Sequence, residues 1–158
     1  MPYSPTPTGV RRARAAGQGL AEFALILPVL LLLLLVAIDF GRLFSAWVTV
    51  NNSARVAANY AAANPGEPFD AGSVYEAQVN AEGFGSLNSI CATAGVPQPT
   101  FADSPADANA TTKNLGDVAT VAISCDFRVL TPMISDAVGA LRISAASSFT
   151  IRTGAYLP

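Results

Sequence analysis

The chain has 158 residues, of which 51% are apolar and 13% charged, with a net charge of −2. This composition excludes a disordered chain or a nucleic-acid-coating protein, both of which need more charge. With no histidine and two cysteines, it also excludes histidine triads, histidine-ligated metals and a cysteine zinc cage, and it argues against an enzyme.

Arg11, Arg12 and Arg14 carry the only charges of the first 16 residues, whereas the chain from Phe40 onward has six basic and nine acidic residues. Between them, Phe23 to Ile38 (FALILPVLLLLLLVAI) is 16 residues long and uncharged. At ~1.5 Å per residue this run covers roughly 24 Å as helix, short of the ~30 Å hydrocarbon core of a bilayer. Starting the span at Gly19 supplies the length but brings Glu22 into it. The arginines belong on the cytoplasmic side and everything after Asp39 outside. A cleaved secretory signal shares this outline, with Leu35-Val36-Ala37 as a poor cleavage site. Against it, the run is long for such a signal, and helix-compatible sequence continues past it.

Glu22 stands at the head of the apolar run, where a carboxylate is costly unless it gains a partner. Cutting the chain after Gly17 creates one, because the new α-amine of Gln18 in a neighbouring subunit can neutralise it. Glycine before the cut suits a peptidase that binds an extended backbone without a side chain. The plainer reading is a helix N-terminal acid complementing the macrodipole.

Past Ile38, apolar residues recur in steps of three and four at Phe40, Leu43, Phe44, Trp47, Val50, Ala54, Ala57, Ala58 and Ala61, the mark of one helix face. The first stop signal is Asn64-Pro65-Gly66. One helix is therefore predicted from about Gln18 to Ala63, with residues 18–39 in the membrane and 40–63 as an amphipathic stalk. The C-terminal part of that stalk packs on the chain's own domain.

Residues 66–158 form an extracytoplasmic domain with one small core. A second helix is predicted over Asp70–Ala94, capped by Asp70 or Ser73, with Gly83 and Gly85 weakening its middle. A loop follows over Gly95–Thr112, with a short edge strand around Val96–Phe101. Two strands alternate cleanly. In the first, Val121, Ile123, Cys125, Phe127 and Val129 face inward; in the second, Leu141, Ile143, Ala145, Ser147, Phe149 and Ile151 do so. Thr131–Ala140 joins them as a short helix or wide turn. The fold class is α+β, pilin-like: a long transmembrane-plus-stalk helix, a second helix and an antiparallel sheet of two to four strands.

Gly17 followed by Glu22-Phe23-Ala24-Leu25, then Pro28 and the leucines, then Ile38-Asp39-Phe40-Gly41-Arg42, resembles the TadE-like pseudopilins of the tight-adherence (Tad) pilus, a branch of the type IV pilin systems. Asn52-Ser53-Ala54-Arg55 and Leu130-Thr131-Pro132 are also similar to that family. The resemblance covers residues 17 to about 62 well and 118–152 loosely, leaving 66–117 unmatched. It implies that a prepilin peptidase cuts between Gly17 and Gln18 and removes residues 1–17 as a leader, with Glu22 at the fifth position of the processed chain. Phe23 stands where the small major pilins carry Tyr, which favours a minor component.

Pro28 removes one helix donor and frees the carbonyl of Ala24, so a kink or a tolerated membrane-helix proline is expected. Asp39 and Arg42 are spaced to pair at the outer lipid boundary, or else simply mark that boundary. Trp47 suits either the lipid interface or a subunit contact. Cys91 and Cys125 both lie in the exported region, where a disulfide between them is favoured over two separate buried thiols.

Asp103, Asp107 and Asn109 fit no calcium loop, Asn109-Ala110-Thr111 is a glycosylation sequon, and no nucleotide or nucleophile motif is present. The expected function is that of a non-enzymatic minor pilin or pseudopilin without cofactor or metal. Its expected partners are membrane lipid, a prepilin peptidase, other pilin subunits and the assembly platform, with no nucleic acid. It would pass once through the cytoplasmic membrane, or be extracellular in a finished pilus. The rivals are an unprocessed anchored binding or adhesion domain and a secreted domain released by signal peptidase.

Overall fold

The computed structural model describes residues 10–91, 95–104, 113–131, 136 and 139–153, with side chains from residue 17 onward. Helix α1 runs Val10–Ala63, α2 runs Val74–Ala81, a 3-10 turn follows at Phe84–Ser89, and three strands complete the chain: β1 Thr100–Ala102, β2 Val118–Phe127 and β3 Leu141–Thr150. The chain divides into two compact units, Met1–Ile38 and Asp39–Pro158.

In the first unit the structure is helix, with Pro28 inside it. The helix begins at Val10 rather than at the expected Gln18. Arginine and alanine are strong helix formers, and they fill all of residues 11–16, so local propensity carries the helix back through Gly17. The leucine-rich surface is open: Leu20, Phe23, Leu25, Ile26 and Leu30 to Leu35 are all exposed. Among the described residues, this is the one helix long and apolar enough to cross a membrane.

In the second unit, the remainder of α1 supplies Ala46, Val50, Ala54, Ala57, Ala58, Ala61 and Ala62 to one buried core. Small side chains on this face let other elements approach closely. The sheet adds Ala119, Val121, Ile123, Cys125, Phe127, Ile143 and Ile151, and the α2 region adds Phe69, Tyr75, Val79, Phe84 and Leu87. Ser53 is buried on the same helix, and its hydroxyl has no hydrogen-bond partner among the described residues. The helix stops at Ala63, as expected from Asn64-Pro65-Gly66, and its last carbonyls accept from Asn64 N, Asn64 Nδ2 and Thr153 Oγ1.

The sheet has the order β1-β2-β3, antiparallel throughout, with Val118 opposite Thr150 and Phe127 opposite Leu141. The inward side chains of β2 and β3 are those their alternation predicts, although β2 starts at Val118 and ends before Val129. Just past its end, Arg128 N donates to the carbonyl of Ile90. The short edge strand lies at Thr100–Ala102, later than expected, after Pro97 and Pro99 have kept the preceding chain out of the ladder.

The predicted second helix is shorter and split. Ser73 caps it, accepting from Glu76 N at 3.3 Å, while the Glu76 carboxylate accepts from Gly72 N. It ends before Gly83, whose φ of +83° is a left-handed conformation that glycine adopts without strain. Tyr75 is fully buried and donates to the carbonyl of Pro97, and burial pushes its hydroxyl pKa up to about 12. Most of the Thr131–Ala140 connection, Pro132, Asp107 and the Asn109 sequon lie outside the described residues.

Candidate functional site

The residues singled out from sequence fall into an N-terminal set, Gly17 to Pro28, and a second set from Asp39 to Trp47 with the two cysteines. In the first set, Gly17 and Gln18 lie within the continuous helix, and a Cβ built on Gly17 would meet nothing within 4 Å. Gln18 and Glu22 share a face, one turn apart, and Gln18 Nε2 donates to Glu22 Oε1 at 3.2 Å. Phe23 is exposed on the same helix. Residues 17–28 are exposed throughout.

The second set is organised around Asp39. Arg42 Nη1 donates to Asp39 Oδ1 at 3.2 Å, so the expected pair forms. Asp39 is nonetheless more than a boundary marker, because it is buried and its carboxylate accepts three further hydrogen bonds. Leu130 N donates to Oδ1 at 3.1 Å, while Thr131 N and Thr131 Oγ1 donate to Oδ2 at 3.1 and 2.7 Å. The carboxylate thus clamps the chain where it leaves β2. Arg42 reinforces the clamp: Nη1 also donates to the Arg128 carbonyl at 3.4 Å, and the guanidinium lies 5.5 Å from the centroid of the Phe127 ring. Two short sequence segments, around Asp39 and around Leu130-Thr131, therefore form one unit of structure. The sequence shows each segment but not their contact, since nothing local signals a partner 91 residues away.

Cys91 and Cys125 form a disulfide, with Cα atoms 5.2 Å apart. Cys91 also bridges to Phe127 outside the main ladder, so the bond fixes the end of the 3-10 turn against β2. Trp47 stacks beside Phe44 with ring centroids 5.9 Å apart, and both are exposed. With Phe40, Leu43, Leu141, Arg142, Ile143 and Ser144 they line an open groove of about 460 Å³. Its rim carries Arg142, which makes two hydrogen bonds to Asp126 across the strands, at 2.7 and 3.1 Å. That contact raises the Arg142 pKa. Among the described residues no group of three or more His, Cys, Asp or Glu side chains could hold a metal ion.

Residues 17–59 match the family of TadE-like proteins. The matched stretch starts at Gly17 and takes in Glu22, Phe23, Pro28, the Asp39–Arg42 pair and Trp47, and it ends within the buried alanine face. No curated protein and no solved structure matches the chain.

Proposed function

We propose that this TadE-like chain is a minor pilin or pseudopilin, made as a membrane-held precursor and processed by a prepilin peptidase between Gly17 and Gln18. The observation that carries this reading is the family match beginning at Gly17, with Glu22 five residues on and an exposed apolar helix behind it. The three arginines keep residues 1–17 in the cytoplasm and the disulfide-bonded domain outside. After the cut, Gln18 presents a free α-amine to the Glu22 carboxylate of a neighbouring subunit, and the exposed leucines pack against neighbouring helices as the subunit leaves the bilayer. The protein's part is structural: it joins or primes the pilus through helix packing, on the assembly platform, and it performs no chemistry of its own.

The second reading is an unprocessed anchor. The helix passes through Gly17 without a break, a state shared by such an anchor and by a precursor before cleavage. Under the first reading the peptidase must unwind this turn to reach the bond, and glycine, the weakest helix former after proline, makes that easier.

Intact-mass measurement on membrane-extracted protein, co-expressed with a prepilin peptidase, separates the two. The wild type is expected to lose Met1 to Gly17, and Gly17→Leu to stay whole. The leucine side chain meets open space in the folded chain, so a block on cleavage reports the peptidase and not misfolding. Equal trimming of both proteins would move the site elsewhere, and retention of Met1 in both would make the chain a permanent anchor.

A further inference from the structure

We infer that the groove beside Trp47 is a lipid seat, and that the bilayer's outer boundary lies at Trp47 rather than at Asp39. This rests on the reading of α1 as a membrane anchor.

The uncharged run from Phe23 to Ile38 spans only about 24 Å as helix, which leaves ~6 Å of the hydrocarbon core uncovered. Extending the span backwards would bury Glu22. Extending it forwards meets Asp39 and Arg42, and from sequence these two also close the span. The structure removes that objection. The Asp39 carboxylate is buried, accepts from Leu130 N, Thr131 N and Thr131 Oγ1, and is paired with Arg42, so the acid is satisfied without water, while the partly exposed Arg42 is tied to it and to the Arg128 carbonyl. About four further residues of α1 supply the missing length.

The side chains at this level are those a bilayer accepts. Phe40, Phe44 and Trp47 recur in steps of four and three on one face, and they are 68%, 57% and 50% exposed. Farther along the same helix the apolar face is buried from Val50 onward. A second element presents apolar surface at the same place: Leu130, whose N–H donates to Asp39, is 62% exposed. Counted from Asp39 at 1.5 Å per residue, Phe40 and Phe44 stand ~2 and ~8 Å along the helix and Trp47 ~12 Å. That places the phenylalanines at the end of the hydrocarbon and Trp47 among the headgroups, where tryptophan concentrates. The groove floor of Phe40, Leu43, Phe44, Leu141 and Ile143 takes the upper part of an acyl chain, and the exposed Arg142 guanidinium at its rim faces the phosphate layer.

Trp47 is the only tryptophan, so its fluorescence reports this position directly. The full chain is placed at one copy per phospholipid nanodisc, with lipids brominated on the upper acyl carbons as one quencher and aqueous acrylamide as the other. A reporter on the exposed far part of the helix, Trp47→Phe with Asn59→Trp, supplies the aqueous reference. The lipid seat predicts strong bromine quenching of Trp47 and about threefold weaker acrylamide quenching than at position 59. Trp47 as open to acrylamide as the reference, with no bromine quenching, overturns the seat while leaving the anchor intact. Shielding that appears only when several copies share a disc assigns the groove to a second copy and also overturns it. Failure to enter the discs at all overturns the anchor reading together with the seat.

Discussion

Asp39 brings two long-range partners, a backbone pair and a hydroxyl, onto one carboxylate, and Arg42 completes its shell. Removing one side of such a shell leaves the others buried without partners, and that loss exceeds the worth of any single bond. Asp39→Ala should therefore destabilise the domain by about 2–4 kcal/mol, measured by chemical or thermal unfolding of the full chain in detergent. Thr131→Ala should cost about 1–2 kcal/mol, since it removes the hydroxyl and leaves both N–H donors in place. The double variant should be less destabilised than the sum, because the two side chains share an interaction. Strict additivity would mean that the clamp acts through the backbone donors alone. The Asp39–Arg42 spacing was readable from the sequence, but only as a local pair. The larger role depends on Leu130 and Thr131, which fold back from the far end of β2.

At the level of elements, legibility follows periodicity. The strands β2 and β3 were visible because alternate residues change character every step, and the end of α1 was visible because Asn64-Pro65-Gly66 interrupts a long apolar stripe. Where the signal is propensity alone, the boundaries moved. The start of α1 shifted back to Val10 across arginine and alanine, and the predicted second helix broke at Gly83, where a positive φ is needed to redirect the chain into the 3-10 turn. The apolar stripe of α1 was readable as a stripe but not as two surfaces. Its Val50–Ala61 part is core, while Phe40, Phe44 and Trp47 remain uncovered. The turn after Gly83 is tied to the sheet by the disulfide, across a separation of 34 residues. Closing a loop of this length restricts the unfolded chain, so reduction should lower stability by about 3–4 kcal/mol in that account. Thermal melts with and without a reductant give the comparison, and Cys91→Ser with Cys125→Ser should reproduce the reduced curve. Coincident melts would show that the buried packing around β2 holds the turn unaided.

At the scale of the whole molecule, the question is what Glu22 does once many copies meet. In the unprocessed chain its carboxylate accepts from the Gln18 side-chain amide, a neutral donor on the same helix. Processing would add a cation at Gln18, and a charge-assisted bond to a carboxylate is roughly twice as strong as a neutral one. Between neighbouring helices that gain belongs to the assembly, because a lone carboxylate near lipid is unfavourable in each subunit alone. Glu22→Ala should then insert into the membrane as well as the wild type, being more apolar, and should still be cut, since Gly17 remains. It should nonetheless be lost from complexes with other pilin subunits, and piliation should fall. Glu22→Gln keeps the length and the hydrogen bonding but not the charge, so it should share most of that defect. Glu22→Asp should be intermediate, its shorter side chain reaching the amine less well. A carboxylate serving only the helix macrodipole contributes about 0.3–1 kcal/mol to a single helix and predicts normal assembly for all three variants. Co-isolation from membranes in which each variant is present in equal amount decides between them. Normal recovery of Glu22→Ala in pili would reduce Glu22 to a helix-end charge.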